Sequence, residues 1–150
     1  MRFFKLILIA IIVIPMASIA QDGSSWKISI GKKVLLTGNN YDDTVTNTIK
    51  IKKSDLDNGG LFKIDYTDPN KKATKGTNFR TIAFLNPGQT VVLQRDSADN
   101  LMMYNRDLMK VIWANKKVTV CTWSTPLDPG IAAAIRIRRF RLCSIEFAEE

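Results

Sequence analysis

Four arginines fall within six residues of the stretch Ile135-Arg136-Ile137-Arg138-Arg139-Phe140-Arg141-Leu142-Cys143. Guanidinium forks match phosphate, sulfate and carboxylate oxygens in pairs. The chemistry on offer is therefore recognition of anions, such as lipid headgroups or an acidic cell-surface glycan. A regular strand would send Arg136 and Arg138 to one face and Arg139 and Arg141 to the other. A bulge at Arg138-Arg139 would instead align Ile135, Ile137, Phe140 and Leu142 on one face and leave the arginines outside. The bulged form is expected, because an unpaired buried guanidinium is very costly. An arginine stripe on an outer strand face also has a structural explanation, through pairing with neighbouring carboxylates or protection of a sheet edge. That explanation is preferred to anion binding.

Covalent and acid–base chemistry find less support. The chain has no histidine, which excludes a histidine general base and histidine-ligated metals. Ser24, Ser25, Ser54, Ser97, Ser124 and Ser144 lie outside G-x-S-x-G and S-x-x-K contexts. Phosphate loops and dinucleotide glycine patterns are absent. Asp42-Asp43, and Asp55 with Asp57, are the close carboxylates in the body of the chain. Ser54 to Gly59 faintly resembles a calcium loop but lacks the acidic ligands and spacing of an EF-hand, so ordinary turn chemistry is preferred. A hydrolase built on two of Asp42, Asp43, Asp55, Asp57 and Asp65 is the enzymatic alternative. The expectation is no catalytic residue, no cofactor and no metal.

Trp26, Tyr41, Tyr104, Trp113 and Trp123 could stack on a sugar or a peptide. Trp26 and Trp123 occupy alternating positions and are assigned to the core. Tyr41, in a polar loop, is the candidate for ligand stacking. Cys121 and Cys143 are the two cysteines. In an oxidising compartment such an isolated pair is expected to form a structural disulfide.

Positioning these residues calls for strands. Trp26, Ile28 and Ile30 alternate with polar partners, as do Phe62, Ile64 and Tyr66. Val34 to Thr37, the run holding Val45, Ile49 and Ile51, Phe79 to Leu85, Thr90 to Arg95, Val118 to Trp123 and Ile135 to Phe147 read the same way. Asn86-Pro87-Gly88-Gln89 is a hairpin connection, and Asp68 to Asn78 is an exposed polar loop. Asn105 to Ala114 is the clearest helix, with Leu108, Val111 and Ile112 at helical spacing and Asn105 or Asp107 as cap. Asp128 followed by Pro129 predicts a short helical turn over Ile131 to Ala134. Short strands with frequent turns indicate an all-β, antiparallel β-sandwich, jelly-roll or Ig-like, with one or two short helices.

Arg2 and Lys5, an apolar run and Ser18-Ile19-Ala20 compose a secretory signal peptide over residues 1–20. Residues 21–150 are then a single domain, not membrane-spanning after processing, carrying about +6 once Arg2 and Lys5 are removed from the total of +8. Charge this modest, without a reading motif, argues against nucleic acid as partner.

The stretch from Val118-Thr119-Val120-Cys121-Thr122-Trp123-Ser124-Thr125-Pro126-Leu127-Asp128-Pro129 through Ala132-Ala133 to Arg136, Arg138, Arg139, Arg141, Leu142 and Cys143 resembles a segment of small uncharacterised exported proteins of Bacteroidetes bacteria. The resemblance covers the last third of the chain. It implies a bacterial, exported setting in the periplasm, at the cell surface or in the medium, and carries no activity or site residue. The leading expectation is an exported, non-enzymatic binding or structural accessory module. A polyanion- or glycan-binding protein using Arg136 to Arg141 is the next reading.

Overall fold

Alternating apolar residues fold this chain into two stacked sheets. The computed structural model describes residues 23–39, 46–57 and 59–149. The signal segment, Tyr41, Asp42 and Asp43 lie outside the described residues. The strands are β1 (Ser25–Ile30), β2 (Lys33–Asn39), β3 (Thr48–Ile51), β4 (Leu61–Thr67), β5 (Asn78–Leu85), β6 (Val91–Asp96), β7 (Asn100–Tyr104), β8 (Lys117–Pro126) and β9 (Phe140–Phe147). Three helices accompany them: α1 (Lys53–Leu56), α2 (Asn105–Asn115) and α3 (Pro129–Ala134). One sheet has the order β2-β1-β4-β7 and the other β3-β9-β8-β5-β6. The sandwich is thus as expected from the alternation. It departs from a wholly antiparallel one at β3, which pairs parallel to β9, and it holds three helices.

The main core lies between the sheets. Ile28, Phe62, Ile64 and Leu101 face Ile82, Phe84, Val118, Val120, Cys143 and Ile145, with Leu108 and Ile112 of α2 closing one side. Phe62 and Phe84 meet edge to face with centroids 6.2 Å apart. This contact joins the two sheets through aromatic packing. Another margin of the core is closed by polar groups. Trp26 stacks on Tyr66 at 6.4 Å, and the Arg80 guanidinium lies 4.2 Å from the Tyr66 ring centre. Arg80 also donates to Asp68 at 2.5 Å and to Thr122 Oγ1 at 3.4 Å. A half-buried cation is therefore satisfied on three sides, the condition for keeping charge at a core margin.

The five-stranded sheet buries both of its faces. Ile82 and Phe84 point into the main core, whereas Ala83 and Leu85 join Cys121 and Trp123 in a second cluster on the outer face. Ile137 packs against that second cluster. The segment between α3 and β9 thus crosses the outside of the sheet and covers it, which fixes where the arginines sit.

This arrangement corrects two expectations. First, the last strand does not begin at Ile135. Ile135 to Arg139 is irregular, β9 starts at Phe140, and no bulge forms at Arg138-Arg139. The register shift lies further on, where Val120 pairs with Cys143 but Cys121 pairs with Arg141. The side chain of Ile137 is drawn onto the outer apolar cluster, so the segment follows that cluster rather than the ladder. Second, Cys121 and Cys143 are free thiols. They stand on adjacent strands, but Cys143 belongs to the inter-sheet core and Cys121 to the outer cluster. Side chains on opposite faces of one sheet cannot meet the geometry of a disulfide.

Candidate functional site

The arginine segment begins at a well-made helix start. Asp128 Oδ1 accepts hydrogen bonds from Gly130 N at 2.7 Å and Ile131 N at 3.2 Å, and Pro129 occupies the first turn. This is the cap that Asp128-Pro129 foretold. No residue of α3 is buried. Leu127, Ile131 and Ile135 are respectively 54%, 53% and 47% exposed. They recur at intervals of four, with Ile131 on α3, Leu127 just ahead of its cap Asp128, and Ile135 just after it in extended backbone. The result is three exposed aliphatic side chains around one short turn, immediately before the arginines.

The arginines follow on a surface depression of about 620 Å³ lined by Arg136, Ile137, Arg138 and Arg139. Ile137 is the anchor, half-buried on the outer cluster. Arg139 lies 5.0 Å from the Trp123 ring centre and Arg138 4.9 Å from that of Phe140. The contact with Trp123 holds the Arg139 guanidinium while leaving its N–H edge for other partners. Arg141, on β9, donates to Ser144 Oγ at 2.7 Å. All four arginines are exposed. Among the described residues no ion pair engages Arg136, Arg139 or Arg141, so pairing with carboxylates of neighbouring strands does not account for these three.

The other candidates are placed as follows. Trp26 and Trp123 are buried, as assigned. Tyr104 and Trp113 are exposed, at 56% and 62%. Asp55 is bound to Lys33 at 3.2 Å, and this hydrogen bond holds its carboxyl below the usual range. Asp65 pairs with Lys63 at 2.8 Å. Asp57 borders a separate cavity with Gly59, Gly60, Tyr104 and Asn105. Among the described residues no group of three cysteine or acidic side chains is arranged to hold a metal ion. No helix among them is long and apolar enough to cross a membrane.

The reading of the arginines as a strand missed their aliphatic neighbours. The signal was present: Leu127, Ile131 and Ile135 recur every four residues in and around a capped turn whose other residues are Pro129, Gly130 and Ala132 to Ala134. A turn only six residues long cannot bury these side chains against itself, which leaves them for water or a partner.

No known protein-family model matches the chain, and neither a curated protein nor a solved structure does so.

Proposed function

We propose that this is an exported, non-enzymatic bacterial module that docks on an anionic phospholipid surface through Leu127 to Arg141. The observation that carries the reading is the exposure of Leu127, Ile131 and Ile135 around one short turn, followed directly by four exposed arginines. An apolar face bordered by cations is the pattern of elements that lie in the membrane interface. Aliphatic side chains enter the acyl boundary while guanidinium groups engage headgroup phosphates. Each arginine held near an anionic surface contributes on the order of 1 kcal/mol at physiological salt. A soluble polyanion such as an acidic polysaccharide would use the arginines but would leave Leu127, Ile131 and Ile135 in water, and for that reason lipid is preferred.

Vesicle co-sedimentation tests the proposal. The protein should bind vesicles containing phosphatidylglycerol and ignore pure phosphatidylcholine. Binding should weaken with added salt, as screening requires. Replacing Arg136, Arg138 and Arg139 together by Ser should weaken it by about a hundred-fold. Ile131→Asp should weaken it while leaving retention on a soluble acidic polysaccharide intact. Equal binding by wild type and Ile131→Asp would reject the lipid reading, as would wild-type protein that ignores anionic vesicles.

A further inference from the structure

Away from the arginines, at the other end of β9, a second cleft of about 460 Å³ is lined by Lys53, Ile112, Trp113, Lys116, Phe147 and Ala148. Three elements converge there. The parallel pair β3–β9 ends at the register Ile51 with Phe147, and Ala148 N donates to Ile51 O at 2.9 Å. Helix α1 follows β3 at once, and α2 ends beside it.

Trp113 is the most exposed large apolar side chain among the described residues. It is nevertheless held in place. Phe147 meets it edge to face at 5.9 Å, and the Lys53 ammonium lies 4.9 Å from its ring centre. An indole left in water contributes little to folding, so a fixed and exposed ring is a surface prepared for contact. Beside it, Lys116 adopts φ 61° and ψ −43° at the junction of α2 and β8. Glycine is the inexpensive residue for positive φ at a helix end, and a lysine there carries strain. Strain at the rim of a cleft points to a requirement for the side chain itself. Among the described residues no ion pair engages Lys116.

We infer that this cleft binds an acidic sugar, a hexuronate unit of a polysaccharide, with its apolar face on Trp113 and its carboxylate at Lys116. An open cleft selects a hydrophilic ligand with one apolar face over a wholly apolar one, and Lys116 at the rim selects an anion. The cleft volume is in the range of small-ligand sites. This site is separate from the lipid-docking segment and does not depend on it.

The test is calorimetric titration of the protein with tetragalacturonate, using neutral cellotetraose as the control. Saturable binding of the acidic sugar alone is expected, and Trp113→Ala should abolish it. Lys116→Gln keeps the backbone strain and removes the charge, and should weaken binding by about ten-fold. Lys116→Gly should weaken binding equally but raise the melting temperature, because it relieves the positive-φ strain. The triple change of Arg136, Arg138 and Arg139 to Ser should leave this binding unchanged. The proposal is overturned if Trp113→Ala binds like wild type, if the neutral sugar binds as tightly, or if binding follows the arginines instead. Failure to saturate at millimolar sugar overturns it as well.

Discussion

Cys121 and Cys143 occupy adjacent strands of one sheet yet present their thiols to opposite faces of it. The pairing of Val120 with Cys143 and of Cys121 with Arg141 fixes this relationship. Burial pushes both thiols above the ordinary value near 9.0, Cys143 most strongly, with Arg139 and Arg141 offsetting part of the effect at Cys121. Both should be recovered as free thiols by intact-mass analysis after denaturation in alkylating reagent, and dithiothreitol should leave the melting temperature unchanged. The pH dependence follows from the sign of the shift. A folded-state pKa above the unfolded one gives stability that is complete below the unfolded value and is lost as pH rises beyond it. Melting temperature should therefore fall above pH 9 more steeply in wild type than in Cys143→Ala. Equal slopes, or an unalkylated species two hydrogen atoms lighter than the dithiol, would contradict this.

Gly38 pairs with Trp26 across β1 and β2, and the indole lies on it. A Cβ at Gly38 would stand 2.6 Å from Trp26 Cε2 and Nε1. Neither ring nor backbone can yield that distance without disturbing the Trp26–Tyr66 stack. Gly38→Ala should destabilise the fold by about 1–3 kcal/mol in urea unfolding, the usual cost of overpacking. An unchanged midpoint would show that the indole does not cover this glycine.

Asn105 opens α2 with its backbone N–H bonded to Gly60 O at 3.0 Å. Its side chain is buried, and both amide atoms lack a hydrogen-bond partner among the described residues. Leucine has the same number of side-chain heavy atoms and the same branching, so Asn105→Leu removes two orphaned polar groups with little change of shape. It should raise stability by about 1 kcal/mol, since a buried polar group left unpaired costs at least that much. A loss of stability in the same urea measurement would mean that the amide has a partner in solution.

Much of the sandwich was legible in the sequence because one-sided burial writes itself as alternation. Trp26 to Ile30 and Phe62 to Tyr66 became β1 and β4, and Leu108 with Ile112 marked α2. What escaped was non-local. Strand β7 offers only Leu101 as a fully buried side chain, too little for a period to show. The parallel placement of β3 depends on a partner nearly a hundred residues away in sequence. The arginine segment misled because Ile135, Ile137, Phe140 and Leu142 mimic a bulged strand. Only the apolar outer face at Ala83, Leu85, Cys121 and Trp123 reveals that Ile137 covers the sheet instead of extending it.

The most direct test of the lipid-docking account places an environment-sensitive fluorophore at Ile131→Cys. The native thiols are buried and compete poorly for the label. A second protein labelled at Val34→Cys, exposed on the other sheet, serves as control. On adding phosphatidylglycerol vesicles, the account predicts a blue shift and increased emission at position 131 and no change at position 34. Equal responses at the two positions, or none at position 131 while the protein co-sediments with the vesicles, would contradict it.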